Sequence, residues 1–254
     1  MHKPFSPLEL LSLVRRVVDG RELLPRAVAA EEGQLLMYAR DLASIARMER
    51  RQRQLLQDAY RETAMALADA VDVRDRATGL HALRVRRYAL NLAEAIDPTL
   101  LRDPSLEYGF LLHDVGKIGI SDQVLLKPGP LTAEERELVH MHPAIGAQIL
   151  RNVSLLQGCG LDVVRHHHER WDGAGYPDGL SGEQIPLSAR IFAVADTLDA
   201  MTSHRPYRQA LDWAEAVGEI QSQSGRQFDP DVVQAFLAEA ANLRSVYEDL
   251  SLVA

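Results

Sequence analysis

The sequence is poor in cysteine and in aromatic residues, and it has no long apolar run. Only Cys159 among the 254 residues is a cysteine, and aromatic side chains make up 6% of the chain. A lone cysteine forms neither an intramolecular disulfide nor a thiolate metal site, which favours a reducing compartment. No stretch of about 18 apolar residues is present, as a membrane-spanning helix requires, and the first thirty residues lack the apolar core of a secretory signal. These absences predict a cytosolic protein.

A basic excess is also absent. The chain carries 36 acidic residues against 28 lysines and arginines, a formal net charge of −8. Non-specific attraction to nucleic acid polymers is therefore not expected, although a small phosphate-bearing ligand needs only a local cationic site. Alanine and leucine are abundant among the 46% of apolar residues, which favours an all-α fold closed by aliphatic packing.

Apolar spacing predicts helices over most of the chain. A first helix is predicted over 6–19, ending at Gly20, and a long second one from near Glu31 to residue 72. Thr132 and Glu135 form a capping-box pattern at the start of a later helix. The further predicted helices are 80–96, 104–115, 132–151, 160–169, 187–203, 211–223 and 230–248.

The long helix has an interrupted heptad pattern. Leu35, Tyr38, Leu42 and Ile45 keep a/d spacing, which a polar run breaks before the pattern returns at Leu56. Two interpretations stay open: a long surface helix, or a helix that forms a homodimer or transmits a signal to the domain that follows.

Histidines concentrate in the middle of the chain, where six of the nine fall between 113 and 168 with acidic residues next to them. Adjacent helical residues such as His113 and Asp114 point about 100° apart, so both can reach one cleft where the carboxylate bridges two cations. Asp196 lies in the apolar run IFAVADTLDAM, where a buried carboxylate needs a metal or an ionic partner. Asp199, three residues on, is then the expected exposed acid; the alternative is that Asp196 faces solvent.

The string HHERWDGAGYP at 167–177 resembles the HHExxxGxGYP pattern that names the HD-GYP family, and it follows His113-Asp114 and His142-Pro143 in the family's order. The similarity covers roughly residues 60–242. It implies an all-α, HD-type helical bundle with a dinuclear metal cleft. We accordingly divide the chain into an N-terminal helical segment (1–59), dimerising or regulatory, and a phosphohydrolase domain (60–254).

The resemblance also implies the metal ligands, with Asp114 as the bridging carboxylate. Family members with a third metal carry a glutamate four residues before the first histidine; Ala77 stands there, so two metals are predicted. Nitrogen and oxygen donors suit iron, manganese, nickel or zinc. The family favours iron or manganese, while magnesium is less suited because it prefers oxygen ligands and water. The implied ligands are His81, His113, Asp114, His142, His167, His168 and Asp196.

The activity implied by the resemblance is hydrolysis of cyclic di-GMP to linear pGpG, with slow or no further cleavage to GMP. A pair of ions about 3.5–4 Å apart would activate a bridging water for in-line attack. Lys117 would neutralise phosphate charge. Arg205 and Arg208 match positions that hold the second phosphate or the bases, and Tyr176 matches a residue of the same pocket. Asp75 resembles an outer acid that orients His81 or protonates the leaving 3′ oxygen.

Other functions fit the same motifs. The domain could sense the nucleotide with little turnover, or pair with a diguanylate cyclase of the GGDEF type through its GYP loop. It could also hydrolyse cyclic GMP-AMP or a nucleoside monophosphate with the same metal chemistry. Neither DNA nor a membrane is an expected partner, and a homodimer through the N-terminal helices is the expected assembly.

Overall fold

The computed structural model describes residues 30–74, 81–203 and 209–251. Helices connected by loops make up these ranges. No β-strand occurs in these ranges, and a single isolated bridge pairs Ser224 with Phe228. The predicted all-α fold is confirmed. The helix predicted over 6–19 lies outside the described residues.

The described α-helices agree with most of the predicted ones. They are α1 Ala30–Arg74, α2 His81–Ile96, α3 Ser105–Leu112, α4 Asp122–Leu125, α5 Ala133–His140, α6 His142–Leu150, α7 Cys159–His166, α8 Leu187–Thr202, α9 Trp213–Ser222 and α10 Pro230–Ser251. Short 3₁₀ helices lie at Leu100–Arg102, Val115–Gly119, Ser154–Leu156 and Gly182–Gln184. None of the helices in the described ranges is both long and apolar enough to cross a membrane.

The prediction of one helix over 132–151 is wrong, because two helices, α5 and α6, meet at Met141. The predicted capping box is present: the Thr132 hydroxyl accepts the Glu135 N–H at 3.2 Å, and the Glu135 carboxylate accepts the Thr132 N–H at 2.8 Å. Pro143 lies in the first turn of α6, where a residue without an N–H costs no hydrogen bond. The break places His142 at the start of a helix instead of in the middle of one. The helix predicted over 104–115 similarly ends early, at Leu112.

The chain divides into two compact units, Met1–Arg61 and Glu62–Ala254, so α1 begins in the first and ends in the second. In the first unit, three of the four predicted heptad positions that open the pattern have described side chains. Tyr38, Leu42 and Ile45 are 60%, 51% and 53% exposed, whereas Ala39 and Ala43 are buried. The large apolar side chains of this stretch are thus exposed.

The second unit contains two apolar clusters. The larger one joins α2, α8 and α10, with Tyr88, Phe192 and Phe236 fully buried. The smaller one joins α3 and α7 with the last turns of α1, where Leu112 packs with Val164. Because aliphatic and aromatic packing fixes these helices, their ends can hold polar groups in defined positions.

Gly116 determines how closely the 3₁₀ helix after Asp114 approaches α6. A Cβ atom at Gly116 would collide with the carbonyl oxygen of His142 and would lie 2.5 Å from the Gly146 nitrogen. Only a residue without a side chain permits this approach. Asp114 and His142 can therefore share one site.

Candidate metal centre

The implied ligands lie mainly at helix ends. Side chains at the ends of several helices can converge on one point. Asp196 is the exception, because it lies inside α8, about one turn after Ala193. His81 begins α2, His113 and Asp114 follow α3, His142 begins α6, His167 and His168 follow α7, and Asp196 lies within α8.

The structure brings these side chains together in two groups. The four-ligand group comprises Asp114, His142, His167 and His168, and the three-ligand group comprises His81, His113 and Asp196. Within each group one donor atom per residue lies within 4.8 Å of the others. The groups adjoin, since His113 Nε2 lies 3.2 Å from Asp114 Oδ2.

In the four-ligand group, donor atoms crowd around one carboxylate oxygen. Asp114 Oδ1 lies 3.1 Å from His142 Nε2 and 3.9 Å from His167 Nε2, and the two Nε2 atoms are 3.3 Å apart. His142 Nδ1 lies 2.8 Å from the Val139 carbonyl oxygen, and His167 Nδ1 lies 3.1 Å from that of Val164. With Nδ1–H donating to a carbonyl, each imidazole directs the Nε2 lone pair into the site.

In the three-ligand group, His81 is oriented by another side chain. Its Nδ1 lies 2.7 Å from Asp199 Oδ2, and its Nε2 lies 3.6 Å from Asp196 Oδ1. Asp199 is 1% exposed and also pairs with Arg84. The prediction that Asp199 is the exposed acid is wrong, because a buried arginine and a histidine compensate its charge.

The electrostatic character of the groups differs. Burial, and then the charge of the neighbouring imidazoles, lowers the pKa of His168 to about 4 and that of His167 well below its usual value. Burial also opposes charge on His113, but Asp114 outweighs it and raises the pKa of His113 to about 9. For His81, burial is outweighed by Asp199 and Asp196, which raise its pKa.

The donor chemistry fits divalent metal ions. Each group combines imidazole nitrogens with a carboxylate, and donors that bind one ion at about 2.0–2.2 Å are separated by no more than about 4.4 Å. The separations of 3.1 and 3.9 Å between Asp114 Oδ1 and the Nε2 atoms of His142 and His167 are within that limit. The protein therefore has a His/Asp site suited to divalent metal binding.

Lys117 lies at the centre of the site. Its Nζ is 2.8 Å from Asp114 Oδ2. Burial opposes ionisation of Asp114, but Lys117 and His113 outweigh it and hold the pKa of that carboxyl well below its usual range. An ammonium at this position can also meet the charge of a phosphate.

The GYP loop is built against the ligands. The ring of Tyr176 stacks on that of His168, with centroids 4.8 Å apart, and on that of His140 at 3.9 Å. Glu169, which follows the two histidines, accepts the backbone N–H groups of Asp178 at 2.7 Å and Leu180 at 3.0 Å. The glutamate of the motif thus holds the loop. Its role was not foreseen, because it depends on backbone groups nine and eleven residues away.

Asp72, near the end of α1, was not among the predicted site residues. Its side chain is 5% exposed, and among the described residues Oδ2 has no hydrogen-bond partner. Burial raises the pKa of Asp72, and the nearby charges of His81 and His113 oppose this increase. An acid inside the apolar run ALADAVDV is the same signal that singled out Asp196. Of the other predicted site residues, Asp75, Arg205 and Arg208 lie outside the described residues.

Arg74 anchors this end of α1. It donates to the Lys117 carbonyl oxygen at 2.7 Å and to Asp122 Oδ1 at 2.9 Å. The same 3₁₀ helix carries the Lys117 side chain into the site. Asp72, one half-turn before Arg74, is thereby fixed relative to the ligands.

Known proteins are similar in sequence to this chain. The family described as HD domain matches residues 40–232. The cyclic di-GMP phosphodiesterase response regulator RpfG of Xanthomonas campestris is 38% identical over 245 residues, covering 96% of this chain and 62% of the relative. A cyclic di-GMP phosphodiesterase of Thermotoga maritima is 44% identical over 177 residues, covering 69% and 48%. The 3′3′-cGAMP-specific phosphodiesterase 2 of Vibrio cholerae is 37% identical over 183 residues, covering 72% and 35%.

A solved structure has the same fold. The cyclic GMP-AMP-specific phosphodiesterase V-cGAP3 of Vibrio cholerae aligns with a TM-score of 0.54 at 23% identity, covering 72% of this chain and 49% of that one. The chain spans less than two thirds of the length of the relatives it matches. It belongs to the HD-domain family of helical proteins. Its relatives confirm the resemblance to the HD-GYP group within that family.

Proposed function

We propose that this chain hydrolyses a phosphodiester bond of cyclic di-GMP, releasing linear pGpG, at a dinuclear metal centre. The observation that carries the proposal is the convergence of two adjoining His/Asp groups linked at His113 and Asp114. The relatives named as cyclic di-GMP phosphodiesterases, at 38–44% identity, support the substrate.

In this proposal the four-ligand group would hold one ion and the three-ligand group the other, with Asp114 as the carboxylate that both ions would share. Bound divalent ions would polarise the phosphate and generate a nucleophile from water near neutral pH. Iron or manganese is proposed because the donors are nitrogen and oxygen; nickel and zinc share that preference, and magnesium is less suited.

The protein's own side chains would orient the substrate. The ammonium of Lys117, held beside Asp114, would donate to a phosphate oxygen as a point charge. Burial raises the pKa of Tyr176 well above its usual range, so its hydroxyl stays protonated and can donate to the same phosphate. Arg205, Arg208 and Asp75 keep their proposed roles on the second phosphate, the bases and the leaving oxygen.

The test is product analysis. Protein loaded anaerobically with ferrous or manganous ion should convert cyclic di-GMP to pGpG, resolved by chromatography, and Asp114→Ala should not. If the nucleotide binds but survives with every metal tested, the domain is a sensor. Faster hydrolysis of 3′3′-cGAMP than of cyclic di-GMP would move the proposal to the substrate named for several relatives, which are 34–37% identical.

A homodimer through the N-terminal helices is also proposed. The exposed side chains of Tyr38, Leu42 and Ile45 at heptad spacing support it. Light scattering should detect a dimer that Leu42→Glu dissociates and Ser44→Glu, on an exposed neighbouring position, leaves intact. A monomeric wild-type protein would remove this proposal.

Two proposals concern the setting of the protein. A GGDEF-type diguanylate cyclase is proposed as a partner of the GYP loop around Tyr176, and a cytoplasmic location follows from the proposed substrate. Pull-down of a purified cyclase by wild-type protein, but not by a variant with 172–176 replaced by serines, would support the first.

A further inference from the structure

A cavity of about 600 Å³ opens beside the metal centre. Asp196 and Ala200, about one turn apart on α8, lie along one wall, and four residues advance about 6 Å along a helix axis. The cavity therefore begins at a proposed metal ligand and continues for at least a turn beyond it.

The walls of the cavity are small or apolar near the middle. Ala200 leaves room on α8, while Met201 and Phe228 add apolar surface that is largely buried. Sites that hold a planar ring are typically apolar, with a few polar groups that fix its orientation. The size and the lining suit one nucleobase better than a phosphate. A phosphate would need a cation, and Arg170 is the one arginine or lysine among the described residues that line the cavity.

Arg170 is already engaged. Its guanidinium donates to both carboxylate oxygens of Asp172, at 3.0 and 2.7 Å, and lies 3.3 Å from the Gln227 side-chain oxygen. Its charge is thus matched within the loop. This leaves the remote part of the cavity without an uncompensated positive charge in the part of the chain that the structure describes.

The polar lining at the α9 side includes one carboxylate, that of Glu219. Glu219 lies in the last turn of α9, and its Oε1 accepts the Gln223 Nε2 group at 3.1 Å. No ion pair to Glu219 occurs among the described residues. A carboxylate is an acceptor only, so an anionic substrate can be accommodated here only through groups that donate hydrogen bonds.

Guanine presents such donors. Its N1–H and N2–H₂ groups lie side by side on one edge and can both donate to one carboxylate, whereas adenine carries an acceptor at N1. We infer that this cavity binds a guanine base of the substrate, and that the Glu219 carboxylate accepts its N1–H and N2–H₂ groups. This inference rests on the proposed function, since it assumes that the substrate's phosphodiester lies at the metal centre.

The expected preference for guanine follows from the Glu219 carboxylate, which a base without the two donor groups would leave unpaired. A site built to hydrogen-bond a substrate rejects an analogue lacking the donors, by up to about 10⁴–10⁵-fold when the site is fully buried. Glu219 is exposed at the cavity rim, so we expect a guanine preference of about 10–100-fold, scaled down for solvent access.

The test separates base recognition from hydrolysis. Equilibrium binding of GMP and AMP to the metal-loaded full chain is measured by calorimetry for wild type, Glu219→Gln, Glu219→Ala and Glu215→Gln. Glu215 is an exposed glutamate on the same helix, and glutamine can keep its capping contact with Asp212. Wild type and Glu215→Gln should prefer GMP, and both Glu219 variants should lose that preference with little change in AMP binding.

Equal binding of GMP and AMP by wild type, or an unchanged preference in both Glu219 variants, would overturn the inference. A parallel assay on bis(4-nitrophenyl) phosphate, which has no base, should show unchanged turnover in the Glu219 variants. If the protein prefers GMP through Glu219 but cleaves no cyclic dinucleotide, the proposed function fails and the base site stands. If it cleaves cyclic di-GMP and cyclic di-AMP equally, the base site fails and the hydrolase stands.

Discussion

The histidines among the proposed ligands are oriented by two different means. In the four-ligand group, His142 and His167 direct Nδ1 at carbonyl oxygens of their own preceding turn. In the three-ligand group, His81 depends on Asp199, a side chain 118 positions away. Backbone carbonyls come with the helix end, whereas a carboxylate must be supplied by a second helix. The orientation of His142 and His167 is therefore encoded locally, as is that of His113, whose Nδ1 lies 3.1 Å from the Phe110 carbonyl oxygen, whereas the orientation of His81 requires the tertiary fold.

The largest expected loss of activity is at Asp114, which belongs to the four-ligand group and contacts His113 of the three-ligand group. Asp114→Asn removes the charge that faces His113, His142 and Lys117. Turnover of cyclic di-GMP should fall by at least about 10³-fold, because the two proposed ions would lose the charge of their shared ligand. The metal content, measured by mass spectrometry, should fall with it.

Asp97→Asn is the matched control, since Asp97 is a partly exposed acid whose side chain bonds only locally, to Thr99, among the contacts of the described residues. It should keep turnover and metal content. If Asp114→Asn kept wild-type activity, the two groups would not share a bridging carboxylate, and the division into groups would have to be redrawn.

The next effect distinguishes the groups. Asp199→Asn leaves the buried Arg84 without its charge partner, which costs about 3–5 kcal/mol of unfolding free energy. It also weakens the contact to His81 Nδ1, because one amide oxygen cannot serve both His81 and Arg84 as the two carboxylate oxygens do. Chemical denaturation should show the loss of stability, and the variant should retain the ion of the four-ligand group while losing that of the three-ligand group.

Glu248→Gln serves as the control, because its pair with Arg244 is 59% exposed on both sides, and exposed pairs contribute about 0–1 kcal/mol. Loss of both ions in Asp199→Asn would show that the groups are not independent. Retention of both would show that Asp199 has no part in orienting His81.

The same difference explains what could be predicted from the sequence. The helices, the capping box at Thr132 and the ligand positions follow from local patterns and from the resemblance. The break at Met141 was missed because apolar spacing continues through it, and Asp199 was assigned to the surface because its partners, His81 and Arg84, are remote in sequence. Asp72 was missed for the same reason: its environment comes from helices other than its own.

Asp72 offers a smaller test of the three-ligand group. An unpaired buried carboxylate is unfavourable, so Asp72→Asn should leave the metal-free protein as stable as wild type, or more stable. If Asp72 supports the ligands near it, turnover should nevertheless fall about 10–100-fold, as for other outer partners of metal ligands. Denaturation of the metal-free protein and steady-state kinetics of the loaded protein measure the two effects.

Unchanged or higher stability together with lower turnover in Asp72→Asn would identify a functional role for Asp72. A merely structural residue would lose stability and activity together, and Asp69→Asn, one turn earlier and exposed, should change neither. Unchanged turnover in Asp72→Asn would assign Asp72 no role in the site.

The smallest expected effect concerns protons in the metal-free protein. The folded state raises the pKa of His113 to about 9, so the stability that His113 contributes is fully present below about pH 6.5, its unfolded value. It is lost as the pH rises through about 9. His168 has the opposite sign: its pKa is lowered to about 4, so its contribution is present above about pH 6.5 and is lost as the pH falls towards 4.

Nuclear magnetic resonance of the metal-free protein can follow the imidazole protons of both residues, assigned through His113→Gln and His168→Gln. At pH 7 the three-ligand group should hold a proton on His113, while His168 in the four-ligand group is neutral.

A neutral imidazole binds a metal without first releasing a proton, so the four-ligand group should bind its metal ion first near neutral pH. If the two histidines titrated together near pH 6.5, the electrostatic contrast between the groups would be lost, and only the difference in how their histidines are oriented would remain.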